Sequence, residues 1–597
     1  MSSPIVTTGV TPSSGVQPTI APRLDVHEFV NNEKLFSLYV QALQRLYKTS
    51  EEKPDSHFQI SGIHGLPYER WDNAGPETPQ MLNKHAVEVA GTYTTNREEW
   101  QKAATDLRLP FWDWARHRLP PKQFYDHRQY SQVTITLPDG SKKPVDNPML
   151  SYKFHTGQGP KPDYPDDEDE YFKALSTVPQ TVRHPSQPIG PKTTSNIEAF
   201  ESALNREYDD TRPNTLTLLL YVKDWFQFST QRARKGDGAS ANSLESIHNN
   251  LHNRIGDGGH MNYTQYAAFD PIFWLHHCNV DRVLTLWQYI NYEKWVTSGA
   301  GGYPTWVTQP SDSVNENTEL APFRIDQTNF WTSAQCRAPM NLQYTYEDFQ
   351  GLDMNNLPAV SEAITRRVEK LYYGPDTFPG FPGLVPTEET TATDGSQGPL
   401  GIMAASAPLA GFTESVAAAA ATSLTGSTSA RHAPESIQWT VRIRCKQADV
   451  RHITSILIFI GGMPDSPSNF ASDPRFAGSF DPFVNPIPSK CRNCLEGNDV
   501  VIEGFVHITY SLMQRGLDIL DIPAVESYLH ENLKWIPRTT AGEYGRVEDL
   551  KSLEVTVIDT PLLGGQGLDI PVIGEVRKHN EVTFDMPGGR VRVPGRA

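Results

Sequence analysis

The fold of this sequence is decided by two stretches, Ser243-Leu-Glu-Ser-Ile-His-Asn-Asn-Leu-His252 and Phe269-Asp-Pro-Ile-Phe-Trp-Leu-His-His-Cys-Asn-Val-Asp-Arg282. In the first stretch His248 and His252 are four residues apart, so a helix would project both imidazoles from one face, one turn apart. A second helix, carrying the His-His pair of the other stretch, would add a third imidazole. An all-nitrogen ligand set suits Cu, Zn, Fe or Ni better than Mg, Ca or Mn. The two stretches therefore predict a transition-metal site between two helices.

The second stretch reads D-P-x-F-x-x-H-H-x-x-x-D-R. Together with the spaced histidine pair it resembles the copper B half-site of tyrosinases, catechol oxidases and haemocyanins, which share a binuclear copper centre. The resemblance implies that His248, His252 and His277 bind one copper, because the family places its ligand second in the H-H pair. Neighbouring helix positions differ by about 100°, so His276 is left to pack near the site or to contact the substrate.

Two residues beside these histidines carry the implied proton chemistry. Glu245 lies three residues before His248, and Asn249 directly follows it. In tyrosinases a glutamate and an asparagine so placed are thought to hold a water that takes the phenolic proton, and phenolate binds a metal better than phenol. The resemblance thus favours monophenol hydroxylation over diphenol oxidation alone. The alternative is that Glu245 is an ordinary exposed helix residue.

The copper A half of the resemblance is incomplete. Phe58-Gln-Ile-Ser-Gly-Ile-His-Gly-Leu-Pro-Tyr68 matches the segment of the first ligand, which implies His64. The next two ligands should come from a C-x-H segment and from F-x-x-W-H-R-x-Y, and neither occurs. His85 is the only histidine between His64 and Trp112, and the resemblance places it on the outer part of a helix. The family implies two copper ions, with the copper B site intact and the copper A site incomplete.

Two explanations account for the missing block. A mis-called exon would remove a short in-frame segment and leave clean similarity on both sides, whereas a degenerate protein would show wider decay. The intact copper B half favours the first, although the chain as written is expected to bind copper only there. The implied function is oxidation of small phenols with O₂, with a copper chaperone as a possible partner. The alternatives are an impaired tyrosinase-like protein that binds phenols or one copper, and haemocyanin-like O₂ carriage.

Composition excludes several other classes of protein. The 597 residues carry a net charge of −17, which argues against nucleic-acid binding. No run approaches the 18 apolar residues that span a bilayer. The first ten residues lack the basic and apolar regions of a signal peptide, and five cysteines are too few for a disulfide scaffold. A cytoplasmic location is therefore expected, whereas the oligomeric state does not follow from the sequence.

The N-terminal half reads as a mainly α catalytic domain with long loops. Residues 1–22 are rich in Thr, Ser, Pro and Gly and are expected to be disordered. The catalytic domain is predicted over 23–373, and the resemblance implies that Tyr344-Thr-Tyr346 closes it. Residues 374–436 have the low complexity of a flexible, protease-sensitive linker. Helical periodicity predicts helices over 24–46, 83–90, 97–107, 195–204, 215–228 and 271–292.

The remainder, 437–597, predicts a β-rich domain, since strand patterns begin at Trp439, Ser455, Val500 and Leu553. In fungal tyrosinases such a domain covers the active site as a lid, and an aromatic residue holds the substrate position until proteolysis removes it. The resemblance therefore implies a latent enzyme.

Two features of this domain bear on the lid. The aromatic residue that holds the substrate position is Phe476, Phe480 or Phe483, and the sequence does not choose among them. The C-x-x-C pair Cys491 and Cys494 is proposed in such domains to help load copper, because thiolates suit Cu(I). A chance pair or a loop disulfide is the alternative.

Overall fold

A computed structural model describes most of the chain. The described residues are 6–10, 20–67, 78–161, 170–234, 240–300, 308–309, 311–374, 377–378, 436–464, 470, 473–485, 497–564 and 571–591. Cys491 and Cys494, together with most of the predicted linker, lie outside these ranges.

The N-terminal domain is mainly helical, as predicted. Its described helices are α1 (Val26–Phe29), α2 (Glu33–Lys48), α3 (His57–Gly62), α4 (Thr78–Ala90), α5 (Arg97–Asp106), α6 (Glu170–Leu175), α7 (Ile197–Tyr221), α8 (Trp225–Ser229), α9 (Leu244–Gly256), α10 (Pro271–Ile290), α11 (Ser333–Cys336) and α12 (Leu357–Tyr372). They pack around one apolar core to which α2, α4, α7, α9, α10 and α12 all contribute.

Two helix predictions differ from the structure. The helix predicted over 24–46 is divided into α1 and α2, because the Asn32 side chain accepts a hydrogen bond from the backbone N–H of Leu35 and starts a new helix. The helices predicted over 195–204 and 215–228 are instead joined, since α7 runs unbroken from Ile197 to Tyr221 through Pro213, and the end of the second prediction forms the separate helix α8. A proline inside a helix costs about 3 kcal/mol, which the burial of the leucines that follow it offsets.

Short strands join the ends of the N-terminal domain. β1 (Ala21–Arg23) pairs in parallel with β8 (Tyr344–Tyr346), so the Tyr-Thr-Tyr motif closes the domain against its own start. The other described strands here are β2 (Gln132–Thr136), β3 (Lys142–Asp146), β4 (Gly299–Ala300), β5 (Ser313–Val314), β6 (Glu319–Arg324) and β7 (Phe330–Thr332).

Two segments predicted to lack structure pack against this domain. The backbone N–H of Thr7 donates to the carbonyl of Arg324 at 2.8 Å, and the Trp331 indole donates to the carbonyl of Thr7 at 2.9 Å. Phe378, inside the predicted linker, is buried in the core. In each case the partners lie far away in the sequence, so local composition could not predict the contact.

The C-terminal domain consists of two antiparallel sheets around a second core, which confirms the β-rich prediction. One sheet has the order β12-β9-β14-β15, with β16 also on β14, and the other has the order β11-β10-β13. The strands are β9 (Ser436–Lys446), β10 (Ile453–Ile460), β11 (Phe476–Phe480), β12 (Val501–His507), β13 (Leu533–Thr539), β14 (Glu554–Leu563), β15 (Val572–Ile573) and β16 (Arg577–His579), accompanied by α13 (Thr509–Met513) and α14 (Ile522–Asn532).

The polar face of the larger sheet is also buried, because the two domains are in contact. On β9, Trp439 and Val441 point into the C-terminal core, whereas Thr440 and Arg442 are polar and yet almost inaccessible. His507 on the neighbouring strand is 3.1 Å from the side chain of Asn214 in α7. The two domains therefore meet through a polar interface. No helix among the described residues has the length and apolar character needed to cross a membrane.

Candidate metal centre

The two helices that carry the histidines begin at well-defined caps. The Ser243 hydroxyl accepts from the backbone N–H of Ser246 at 3.1 Å and starts α9. The Asp270 carboxylate accepts from the N–H of Ile272 at 3.0 Å and starts α10. Arg183 donates to both oxygens of that buried carboxylate, from Nε at 3.1 and 3.0 Å. The start of α10, and with it the direction of its histidines, is fixed by a buried ion pair.

Three of the predicted ligands converge. The Nε2 atom of His277 lies 3.2 Å from Nε2 of His248 and 3.2 Å from Nε2 of His252. Nitrogen ligands about 2.0 Å from one ion in near-tetrahedral geometry would be about 3.3 Å apart. The three nitrogens are therefore spaced as the corners of a metal site.

Hydrogen bonds at the far side of the rings set their tautomers. Nδ1 of His248 donates to Oδ1 of Asn249 at 2.9 Å, and Nδ1 of His252 donates to the carbonyl of Met261 at 3.0 Å. Both partner atoms are acceptors, so the proton resides on Nδ1 and the lone pair on Nε2. The two rings are thus held in the form that binds a metal.

Burial keeps the imidazoles neutral. Loss of solvent lowers the pKa of His248 to about 4, and burial together with the neighbouring imidazoles holds the pKa values of His252 and His277 well below 6.5. A histidine must be neutral to bind a metal. These three histidines are therefore ready to act as ligands at neutral pH.

His276 is fully buried beside the ligands, and one of its ring nitrogens lies within 4.8 Å of a ring nitrogen of each of the other three histidines. Its ring lies parallel to that of His248 at 5.1 Å and against Trp114 at 5.0 Å. Neither ring nitrogen has a hydrogen-bond partner among the described residues. Both roles that the sequence left open for His276, packing beside the ligands and contact with a substrate, stay predictions.

The side chain of Glu245 is held through one oxygen. Its Oε2 accepts from the Thr230 hydroxyl and from the backbone N–H of Gln231, both at 2.8 Å. Asn249 keeps its Oδ1 on His248 and directs Nδ2 away from the ligand. The two residues predicted to manage the phenolic proton are therefore both close to the histidines.

His64 approaches from the other side of the pocket. Its ring lies edge-on to His277, with 6.2 Å between the ring centroids, and Nδ1 is 2.6 Å from the carbonyl of Thr264. No group of three potential ligand side chains that includes His64 is found within the described ranges. His85 lies elsewhere on α4, with Nδ1 at 3.4 Å from Glu88, and is not part of such a group either.

Asp25, His27 and His117 form a second group with metal-ligand chemistry. The two rings are stacked, with 3.9 Å between centroids and 29° between planes. Lone pairs lie in the ring planes, so in stacked rings they run side by side and do not converge on one ion. The residue types are those of a metal site, but the geometry is not.

A segment of the C-terminal domain, residues 481–485, inserts into the pocket, and we call it the plug. The Phe483 ring stacks on His252 at 4.4 Å with 19° between planes, and it meets His248 edge-on at 6.0 Å. Phe480 is instead buried in the C-terminal core, and Phe476 packs on Phe459 and Phe470. Of the three aromatic candidates, Phe483 is the one in contact with the histidines.

The rest of the plug is anchored by polar contacts. Asp481 accepts from Arg254 of α9 at 3.0 Å, and Asn485 contacts Gln265. The Pro482 carbonyl accepts from Nε2 of Gln231 at 3.0 Å and, more weakly, from Nδ2 of Asn249 at 3.4 Å. Sequence reasoning missed Gln231 and Pro482, because a lone glutamine and a backbone carbonyl leave no pattern in a sequence.

Two family models match the chain. The common central domain of tyrosinase matches residues 54–290, and the tyrosinase C-terminal domain matches residues 438–557. Polyphenol oxidase 4 of Agaricus bisporus is 30% identical over 94% of this chain and 87% of its own length. Polyphenol oxidase 2 of the same fungus is 29% identical over 93% and 94%, and the tyrosinase of Neurospora crassa is 27% identical over 92% of both chains.

Solved structures of tyrosinases are also similar to this chain over nearly its whole length. The structure of latent and active mushroom tyrosinase is 28% identical to this chain, covers 96% of it and 98% of its own chain, and has a TM-score of 0.73. The pro-tyrosinase of Aspergillus oryzae, at 18% identity and a TM-score of 0.63, shares the fold over 97% of both chains.

Proposed function

This chain belongs to the tyrosinase family of copper phenol oxidases, and from that premise we propose how its own residues carry out the reaction. The proposed activity is hydroxylation of monophenols to o-diphenols and oxidation of these to o-quinones with O₂. When bound, copper supplies the activation of O₂, which no amino-acid side chain provides.

The convergence of three Nε2 atoms carries the proposal. His248, His252 and His277 would hold one copper ion, because their spacing, neutral charge and fixed tautomers fit a nitrogen-ligated metal. The absence of a carboxylate from this described cluster favours copper or another imidazole-binding metal over Mg or Ca.

His64 would belong to the second copper of the family's binuclear centre. It faces the same pocket, and its Nδ1 contact with the Thr264 carbonyl leaves Nε2 as the ligand atom. The two motifs that carry the other ligands of that ion in the family do not occur in this chain, so the second site is incomplete in this proposal. An impaired protein with one copper is less favoured, since relatives aligned along the whole chain are phenol oxidases by name.

Glu245 and Asn249 would move the phenolic proton. The hydrogen bonds from Thr230 and Gln231 engage only Oε2 of Glu245, so Oε1 is left to accept a proton directly or through a water. Asn249 would orient that water with Nδ2 once the Pro482 carbonyl has left.

The plug would keep the enzyme latent. Phe483 covers the face of His252 on which a phenol ring would stack, so substrate and plug exclude each other. The lid must therefore leave, and cleavage of the predicted linker, residues 374–436, would release it.

Metal analysis of the purified chain tests this proposal. We expect copper to bind, and oxygen uptake with 4-ethylphenol and 4-ethylcatechol to begin after proteolysis of the linker. Two copper ions per chain with activity would support the binuclear enzyme. One copper without oxygen uptake would establish the impaired form, and no copper at all would overturn the assignment of the histidine pocket.

A further inference from the structure

The plug is chemically an N-acylated phenylalanine. The carbonyl of Pro482 is the acyl group on the nitrogen of Phe483, and the N-terminal domain contacts both parts. The ring stacks on His252 at 4.4 Å, and the acyl oxygen accepts from Nε2 of Gln231 at 3.0 Å. The pocket thus contacts an aromatic ring and, separately, the oxygen of an acyl group whose nitrogen is two carbons from that ring.

Gln231 is held in place independently of its side chain. Its backbone N–H donates to Glu245 at 2.8 Å, and its carbonyl accepts from the N–H of Glu503 in β12 at 2.8 Å. The first bond lies within the N-terminal domain and remains when the C-terminal domain departs. The side-chain amide would therefore stay beside the pocket after activation.

The side chain of Gln231 is nearly buried and only half satisfied. The residue is 6% exposed, and its Oε1 has no hydrogen-bond partner among the described residues. Native structures rarely leave a buried amide in this state unless a ligand or a water completes it. Loss of the plug would also free Nε2, which leaves an amide donor beside the histidine pocket.

We propose that Gln231 is a substrate-binding residue whose side-chain amide donates a hydrogen bond to an acyl oxygen of the substrate. This inference rests on the phenol oxidase function proposed above. The favoured substrates are phenols with an acylated amine two carbons from the ring, namely N-acyltyramines and tyrosines within a peptide. These compounds reproduce the connectivity of Pro482 and Phe483 and add the phenolic hydroxyl. Phenols with a bare alkyl chain would leave Nε2 unpaired.

The backbone conformation of the plug predicts which of these substrates binds better. Phe483 has a φ of +47°, a left-handed conformation that is unfavourable for an aromatic L-residue. A tyrosine in a peptide would meet the same restriction in that pose. An N-acyltyramine has no carboxyl group on the corresponding carbon and adopts the pose freely, so it should bind better than a peptidyl tyrosine.

Steady-state kinetics of the copper-loaded chain, after linker cleavage and removal of the lid, test the inference. The cleaved enzyme should prefer N-acetyltyramine to 4-ethylphenol in kcat/KM. Gln231→Leu should reduce that preference by about 2- to 10-fold, the worth of one hydrogen bond. The loss should lie in KM, because the acyl group is remote from the reacting atoms. Gln227→Leu is the matched control, since no contact between the Gln227 side chain and the plug is found in the described ranges.

Binding to the metal-free cleaved chain gives an independent readout. N-acetylphenethylamine cannot be oxidised, and calorimetry should show a weaker Kd for Gln231→Leu but not for Gln227→Leu. A Gln231→Leu variant that keeps both the substrate preference and the Kd would overturn the inference. If no phenol were oxidised while the Kd still weakened, the proposed function would fail and the acyl-binding role of Gln231 would stand.

Discussion

The pKa values of the histidines in the metal pocket and of His579 in the C-terminal domain are shifted in opposite directions by their surroundings. In the metal pocket, burial and neighbouring imidazoles lower the pKa values of His252 and His277. In the C-terminal domain, His579 lies between Glu526 at 2.6 Å and Asp559 at 2.7 Å. Burial alone would lower the pKa of His579, but the two carboxylates outweigh it and raise the pKa above 6.5. The partners of a buried imidazole decide whether it offers a lone pair or a positive charge.

This difference separates a site that binds metal from a site that holds a sheet together. Both nitrogens of His579 donate to carboxylates and link α14 to β14, so no lone pair remains for an ion. In the pocket, acceptors occupy only the outer nitrogens of His248 and His252. Four substitutions, taken from the largest expected effect to the smallest, test this comparison.

Removal of a neutral ligand should have the largest effect. His252→Ala takes one of three converging nitrogens from the pocket, so we expect loss of that copper and a fall in kcat of at least about 1,000-fold. Copper content per chain and oxygen uptake are the measurements. His117→Ala, in the stacked histidine group, is the control and should keep its copper; equal losses in both variants would contradict the geometric assignment.

The second prediction concerns the carboxylate of Glu245, which lies close to the histidines. Glu245→Gln keeps an oxygen for Thr230 and Gln231 but cannot take a proton, so monophenol hydroxylation should fall about 100-fold. Oxidation of an o-diphenol should fall less, since no hydroxylation step is needed. Rates with 4-ethylphenol and 4-ethylcatechol measure the split, and an equal fall in both would argue for a purely structural glutamate.

Of these two histidine sites, the plug covers the metal pocket, which predicts a gain of activity when the plug is weakened. Phe483→Ala removes the ring stacked on His252. Loss of this aromatic contact and its buried area should lower the equilibrium constant for lid closure about 10-fold. The uncut chain should therefore oxidise phenols about 10-fold faster than the unsubstituted uncut chain. Phe476→Ala removes a ring that, within the described residues, contacts Phe459, Phe470 and Arg206 but none of the histidines, and it should leave the uncut chain latent.

The smallest expected effect is that of His579 on the stability of the C-terminal domain, and this effect depends on pH. Because the folded pKa of His579 is raised, its stabilisation is fully present below pH 6.5 and is lost as the pH rises through the folded pKa. His579→Gln should remove this alkaline loss of stability. Urea unfolding of the C-terminal domain at pH 6 and pH 9 is the measurement. A variant that still loses stability in parallel with the unsubstituted protein would show that another group titrates.

The parts of the site that sequence could predict are those set by local spacing. His248 and His252 share a helical face because they are four residues apart, and α10 supplies His277 as the family pattern implies. The same holds for the strand patterns of β9 and β10. Such features depend on residues within one element, so a single sequence contains them.

The remainder depends on contacts between distant segments. Three phenylalanines near the plug look alike in sequence, and only the turn at Phe483 brings one of them to His252. The helix that passes through Pro213 is stabilised by its burial, which outweighs the local signal to stop. The proposed role of Gln231 follows from its hydrogen bond to the carbonyl of Pro482, which lies 251 positions away in the sequence.

The pairing between Gln231 and β12 has a consequence for the lid once it is cut away. Arg232 bridges Ile502 antiparallel, and the N–H of Ala233 donates to the carbonyl of Val501 at 2.8 Å, so the N-terminal domain adds a short strand to the edge of the larger sheet. Removal of the lid would leave the backbone groups of Val501, Glu503 and Phe505 that now pair with the N-terminal domain without partners. Open edges of this kind recruit other strands. The discarded lid should therefore self-associate or precipitate, which makes its release from the enzyme effectively one-way.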